Sequence, residues 1–448
     1  MCCKWDFRFR SNIKSKGSLN KFFIVPGSET MNDVYMSHAV YEIDFSNQLN
    51  LLDSASFIYT VSKALTQKKR LCWVSGGAVR DMWLGRTPVD IDLVTDASDE
   101  EIAELFPKAI LVGQKFGVYK LPFFIKDRNI IIDLTVFREE DEYVDGRRPQ
   151  SIKRAGPLAD AQRRDFTVNA LFYDLEKHQV LDYVGGISDL ENKILRCVGD
   201  ADRRLKEDHL RLLRLTRFKA QFGFTIPEAD LKAASANVEL IRSVSGERIY
   251  DEILKVIKSR SESLFWGQEL TAKLWQALGA EFNSKNLVWL PALKNFAFSV
   301  EQQFVMNVVI LWNHAPEAID FLKARLKCSK DEAGFAKKAV DLKHELSKKP
   351  EALALALHLD KDRAREESLL LLQFYAACGE CPSSLSDSVM AYFNEFPKPL
   401  MSGADLKNRC EPVQIAVLLQ TVRKAQFEKK IRTSSEALIF LQDQNLIN

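Results

Sequence analysis

The sequence predicts an α+β head followed by an all-helical neck, body and tail. Two observations carry this reading. Between about Phe45 and Leu175 short β-rich runs alternate with helical stretches, while beyond about residue 185 strand signals stop and amphipathic helices follow one another. The chain's 448 residues exceed one compact core and suit two to four domains.

The bulk composition is that of an ordinary globular protein, with 46% hydrophobic and 28% charged residues. A net charge of +2 excludes a global field for polyanions, so a nucleic acid must be held by local basic patches. No apolar run reaches bilayer length; the longest, 369–378, is broken by Gln373. Eight cysteines are sparse, and Cys378 and Cys381 alone have metal-ligand spacing. Without a second pair or a nearby His, they read as two buried thiols rather than a zinc site. This usage suggests a reducing compartment and a cytoplasmic location. The first 30 residues are basic and read as a disordered extension, or as an overlong start with Met31 as the true beginning. The expected divisions are an extension (1–44), a head (45–175), a helical neck (176–260) and a helical body and tail (261–448).

In the head, "LCWVSGG" (71–77), "VDIDLVT" (89–95), "AILVG" (109–113), "VYKLPFF" (118–124) and "NIIIDLTVF" (129–137) read as strands. Residues 45–68 and 98–107 read as helices, the second opened by a Ser98–Glu101 capping box. Further on, helices are expected at 201–220, 228–257, 299–325 and 329–346.

Asp90 and Asp92 flank Ile91, so on a strand both acids share one face while Ile91 and Leu93 turn to the core. Two like charges held together repel unless a cation lies between them, and oxygen-only ligation favours Mg²⁺, with Mn²⁺ as the alternative. A bare acidic pair is equally the outer face of an exposed strand. Asp133 interrupts an otherwise apolar strand, where a carboxylate must find a cation or titrate neutral. If its strand adjoins that of Asp90 and Asp92, three carboxylates converge as two-metal phosphoryl transfer requires. Upstream, Gly76 and Gly77 end a strand and open a helix bearing Arg80, an arrangement suited to a triphosphate. Arg80 there reaches either a phosphate oxygen or an acid.

"GGAVRDMWLGRTPVDIDLVTDA" resembles the opening motif of the nucleotidyltransferase superfamily that includes DNA polymerase β. More narrowly it is similar to the class II branch, the CCA-adding tRNA nucleotidyltransferases and bacterial poly(A) polymerases. The likeness continues in order through "RRDFTVNALFYD" (163–174), "DYVGGISDL" (182–190), "EDHLRLLRLTRF" (207–218) and "SGERIYDEI" (245–253). It implies a polymerase-β-like mixed sheet in the head. It also implies Asp90 and Asp92 as catalytic metal ligands with Asp133 as a third carboxylate, and Gly76, Gly77 and Arg80 on the triphosphate. Arg164, Asp165 and Asn169 would read the ribose, and a capped helix start at Asp165 is compatible with that role.

Asp208 and Arg211 would template the base. The carboxylate accepts from the amino group of cytosine or adenine and the guanidinium donates to the ring nitrogen, whereas uracil and guanine set acceptor against acceptor. Arg214 and Arg217 continue that face; an ion-pair ladder on a solvated helix is the plainer reading of the same spacing. "YVDGRRP" (143–149) matches a loop needed for changing from C to A, with Asp145, Arg147 and Arg148 in it. "QSIKRAGPLADAQ", which follows, is less acidic than the family pattern. "LVGQKFGVYKL", with Gln114, favours the tRNA enzyme over the poly(A) polymerase. In the tail, "PLMSGADLK" and the helix after it bring Lys424, Lys429, Lys430 and Arg432, suited to tRNA phosphates.

The expected activity is therefore addition of CCA to tRNA from CTP and ATP by a monomer. The rivals are an A-adding enzyme, a poly(A) polymerase and a catalytically silent RNA-binding homologue.

Overall fold

The computed structural model describes residues 38–112, 117–125, 128–140, 146, 151–348, 362–395, 400–407 and 409–447. The chain divides into two compact units after Val244, inside the span expected as a neck.

Among the described residues the first unit has ten strands: β1 (Ala39–Glu42), β2 (Cys72–Ser75), β3 (Asp92–Thr95), β4 (Ile110–Val112), β5 (Val118–Ile125), β6 (Arg128–Val136), β7 (Arg138–Glu140), β8 (Ile152–Arg154), β9 (Leu171–Asp174) and β10 (Gln179–Asp182). Eight form one mixed sheet in the order β1-β10-β9-β2-β3-β6-β5-β4, and β7 pairs with β8 apart from it. β3 and β6 run parallel; the other pairs are antiparallel.

The five expected strands are present, but the sheet is wider than the 45–175 span. β1 precedes that span and β10 follows it. β9 falls where a capped helix start was expected after Asp165; a single 3₁₀ turn (Thr167–Asn169) precedes the strand instead. The reason is burial: all four residues of β9 are inside, Asp174 included, and a short run buried on both faces has no alternation to read.

Trp73 on β2, Phe172 on β9 and Phe137 at the end of β6 pack on one face with ring centroids 5.4–6.0 Å apart. Val94, Ala161, Ala170, Leu181 and Val198 complete that cluster.

Helices α1 (Ser46–Leu49) and α2 (Ala55–Gln67) replace the single helix expected over 45–68. α3 (Gly77–Trp83) lies against β2 and β9. α4 (Asp99–Leu105) carries the expected Ser98–Glu101 capping box. α5 (Pro157–Gln162) and α6 (Gly186–Glu191) follow. The helix expected over 201–220 is broken into α7 (Ala201–Glu207) and α8 (Leu210–Phe222). At the break Asp208 is extended, with φ −133° and ψ 105°, and its carboxylate accepts from the Leu210 N–H at 3.2 Å. An Asp side chain that satisfies a nearby N–H competes with the helix ladder, and here it wins.

The second unit is helical, as expected. It begins with α10 (Gly246–Lys258), after α9 (Glu228–Ala236) and a 3₁₀ turn end the first unit. Gly246 is fixed by packing: a Cβ there would lie 2.0 Å from the carbonyl oxygen of Arg325. The helix expected over 299–325 is Val300–Leu311, with a Ser299–Gln302 capping box, then a turn and the short segment 317–325, π-helical in its last five residues. Cys378 and Cys381 are free and half-buried rather than buried. Met401, Leu406, Leu418, Val422 and Leu441 form the core of the tail, in which Ser402 and Asp405 of "SGADL" make a capping box. Among the described residues no helix is long and apolar enough to cross a membrane.

Asp182 shows how the "DYVGG" segment is held. Its Oδ1 accepts from the N–H groups of Val184, Gly185 and Gly186, and its Oδ2 from that of Ile187, at 2.9–3.1 Å. Gly185 has φ +84°, and a Cβ on Gly186 would lie 2.2 Å from the Thr167 carbonyl oxygen. Replacing this buried carboxylate leaves four donors without their acceptor. Asp182→Ala should lower the unfolding free energy of the first unit by roughly 3 kcal/mol, read as a fall in its thermal midpoint.

Candidate active site

The register of four adjacent strands lays out one row of side chains. Ser75 on β2 is opposite Asp92 on β3, Asp92 is opposite Asp133 on β6, and Asp133 is opposite Lys120 on β5. Directly paired residues share a face of the sheet, so serine, two aspartates and a lysine stand side by side. Asp90 lies just before β3; it and Asp92 are exposed while Ile91 and Leu93 are buried, the alternation expected.

Asp133 has a partner that the sequence reading missed: Lys120 Nζ donates to its two oxygens at 2.9 and 3.3 Å. At the other end Arg164 lies over the Phe172 ring, 4.9 Å from its centroid, and Phe172 is opposite Ser75. Two acids are thus bracketed by two cations. Asp92 opens to solvent, yet enough protein surrounds its carboxyl to push its pKa up. Burial is the main cause and Asp133 the next, opposed by Arg164 and Lys120.

Asp90 and Asp92 fit a divalent cation by their chemistry. Magnesium is commonly held by one or two carboxylates together with substrate phosphates and water, and a cation here relieves the repulsion on Asp92. Among the described residues no three His, Cys, Asp or Glu side chains gather closely enough to hold a metal alone. Two carboxylates leave the rest of the shell to water in the free chain and to substrate oxygens in a complex.

Behind the row, Gly76 turns the chain from β2 into α3 with φ +74° and ψ −130°. The positive φ favours glycine, and a Cβ there would also press on Arg164 Nη1 at 2.8 Å. Gly77 begins the helix. Arg80, one turn in, is buried; it donates to Asp81 at 2.8 and 3.0 Å and to the Asn169 amide oxygen, with its guanidinium 4.5 Å from the Phe222 ring centroid. Of the two partners expected for Arg80, the structure supplies the acid. Asn169 in turn donates to Asp165 Oδ1 at 3.1 Å, and Arg214 donates to Asp165 Oδ2, its Nε at 2.8 Å. A continuous chain therefore runs Asp81–Arg80–Asn169–Asp165–Arg214, from the glycine turn to α8.

Arg211 is also buried. It donates to Glu207 Oε2 at 2.8 Å and to the backbone oxygens of Arg204 and Arg163 at 2.7 and 3.1 Å. Glu207, the residue before Asp208, thus holds the arginine expected to read the base. Arg217 lies over the Phe218 ring, 3.9 Å from its centroid, and donates to Gln221. A second missed residue is Asp160 in α5, fully buried, which takes Arg163 on one oxygen and Arg164 on the other at 2.7–3.1 Å. Its spacing, three and four residues before the two arginines, was the available signal.

Asp145, Arg147 and Arg148 lie outside the described residues. Gly146 between them is described: its φ is +65°, its carbonyl accepts from the His209 N–H at 3.0 Å, and the His209 ring fills the space a Cβ would need.

Burial would raise the Asp165 pKa, but the Arg214 charge and hydrogen bonds, with Asn169 and Arg211, reverse this and hold it at about 2. The group's ordinary value is 3.8, so its contribution to stability is complete above that pH and is lost as pH falls toward 2. Asp165→Asn should cost about 2 kcal/mol at pH 7. The difference from wild type should shrink below pH 4 and vanish near pH 2, as checked by chemical denaturation across that range.

Comparison with known proteins matches this architecture. Residues 72–196 match the poly A polymerase head domain, and residues 223–265 match the "Probable RNA and SrmB- binding site of polymerase A". The CCA-adding enzyme of Staphylococcus epidermidis is 32% identical over 292 residues, 64% of this chain and 69% of that protein. The solved Bacillus stearothermophilus CCA-adding enzyme in complex with CTP shares the fold with a TM-score of 0.65, at 23% identity over 88% of this chain and 98% of the other. The Thermotoga maritima CCA-adding enzyme complexed with tRNA does so at 0.62, with 19% identity over 90% and 99% of the two chains. With its acidic pair, glycine turn and ordered motifs in place on this sheet, the chain belongs to the CCA-adding enzyme and poly(A) polymerase family of nucleotidyltransferases.

Proposed function

We propose that this protein adds CCA to the 3′ end of tRNA, drawing on CTP and ATP and releasing pyrophosphate by two-metal nucleotidyl transfer. The observation that carries the reading is the sheet register, which sets Asp133 directly opposite Asp92, two residues after Asp90. Mg²⁺ (or Mn²⁺) held there would polarise the attacking hydroxyl and screen the triphosphate.

This chain's residues do the rest. Asp90 and Asp92 hold the cation, and Asp133 adds its negative charge beside them. The Gly76–Gly77 turn lets the triphosphate approach the backbone closely. Arg80 acts through Asn169, fixing the side chain that, with Asp165, faces the ribose. Arg164, anchored by Asp160, is the cation nearest Asp92 on the glycine side. Asp208 and Arg211 select C and A by accepting from the amino group and donating to the ring nitrogen, which requires Arg211 to turn from Glu207 toward the base. Arg214 ties that helix to Asp165, and Arg217, stacked on Phe218 of the same helix, extends the basic face toward the base or the phosphates. The 143–149 segment serves the change from C to A.

The helical residues 261–448 bind tRNA, with Lys424, Lys429, Lys430 and Arg432 exposed in the tail for its phosphates. The location is cytoplasmic and the working form a monomer.

Three substrates separate this reading from its rivals: tRNA lacking the whole CCA end, tRNA lacking only the final A, and unrelated RNA. The full chain with Mg²⁺ and labelled CTP or ATP should complete both tRNAs and leave unrelated RNA unextended. Addition of A alone would identify an A-adding enzyme, and extension of unrelated RNA a poly(A) polymerase. Asp92→Ala should reduce incorporation by about a hundredfold or more; unchanged incorporation would overturn the mechanism.

A further inference from the structure

Lys120 has no role in the site expected from the sequence, yet its ammonium closes one end of the acidic row, directly opposite Asp133. We infer that Lys120 is the resident counter-ion of Asp133 and thereby sets how tightly Asp90 and Asp92 hold a divalent cation. The inference rests on the metal site proposed above.

The backbone fixes the geometry. β5 and β6 pair in register from Val118–Thr135 through Ile125–Arg128, which leaves Lys120 opposite Asp133 and the same face for both side chains. Lys120 Nζ is 2.9 and 3.3 Å from the two carboxylate oxygens. The side chains are 40% and 36% exposed, so the pair borders the open side of the sheet rather than its core. A surface ion pair of this kind adds little to stability. Its consequence lies in the field it leaves for its neighbours.

The charges acting on the Asp92 carboxylate come from Asp133, Asp90, Arg164 and Lys120. Arg164 is already committed to Asp160. Arg164 exerts the larger opposing pull on Asp92, whereas Lys120 is the cation in direct contact with Asp133 and so the one that offsets that acid at its source. With Lys120 present, a cation at Asp90 and Asp92 meets a neutralised neighbour. Without it, the full charge of Asp133 joins the site one strand away. A single ammonium cannot bridge two oxygens of a substrate as a divalent ion can, so it offsets the third carboxylate without replacing the metal.

Two substitutions should move metal affinity in opposite directions, which no purely structural role predicts. Lys120→Met exposes Asp133 and should tighten binding of Mn²⁺, followed by electron paramagnetic resonance on the full nucleotide-free chain, by about fivefold or more. Asp133→Asn leaves Lys120 unopposed and should weaken it by a similar factor. The double variant should return close to wild type, and Lys120→Arg should match wild type throughout. Weaker or unchanged Mn²⁺ binding in Lys120→Met, with Asp92→Asn still abolishing it, would overturn this inference alone. Unchanged binding in Asp92→Asn would overturn the metal site and the inference with it.

Discussion

Asp165 is the point at which the sheet and the helices of the first unit are tied together. One oxygen takes the Asn169 amide, which itself accepts from Arg80 behind the glycine turn, and the other takes Arg214 from α8. A buried carboxylate is tolerated because every direction of its charge is answered; removing one partner leaves the other exposed to the cost of burial without compensation. The wall proposed to hold a triphosphate and the helix proposed to select a base are therefore set by the same side chain. Arg80 illustrates the consequence. Of the phosphate or acid expected for Arg80, the acid is met by Asp81, and the guanidinium is buried between Asp81, Asn169 and Phe222.

The same logic governs the acids. Asp92 and Asp133 stand together because parallel pairing of β3 and β6 leaves them no alternative, and the resulting repulsion is contained by Arg164 at one end and Lys120 at the other. The row is partly compensated rather than neutral, as the proposed metal site needs if it is to admit a doubly charged ion and release it again. Asp160 and Glu207 perform the corresponding task for the arginines, fixing Arg163, Arg164 and Arg211 by buried ion pairs.

Much of this was legible in the sequence. The alternation around Ile91 and Leu93 showed which way Asp90 and Asp92 point, the Ser98–Glu101 box marked the start of α4, and an aspartate within "NIIIDLTVF" announced a strand with a charge to settle. The ordered motifs carried the family. What escaped was of two kinds. β9 and the break at Asp208 depend on tertiary burial and on one side-chain hydrogen bond, neither of which has a periodic signature. Lys120, Asp160 and Glu207 act as partners of other side chains, a role that their place in the sequence does not announce. The Lys120 pairing follows only once the β5–β6 hairpin register is written out, whereas the other two lay three or four residues from their arginines.

The central claim is that the Asp165–Arg214 tie couples the glycine wall to the base-selecting helix. A double-mutant cycle on the KM for CTP and ATP tests it most directly. Asp165→Ala and Arg214→Ala should each raise KM for both nucleotides, and the double variant should be no worse than the poorer single one, a coupling of about 1 kcal/mol or more. Losses that simply add would contradict the account, because the two residues would then be serving the nucleotide independently.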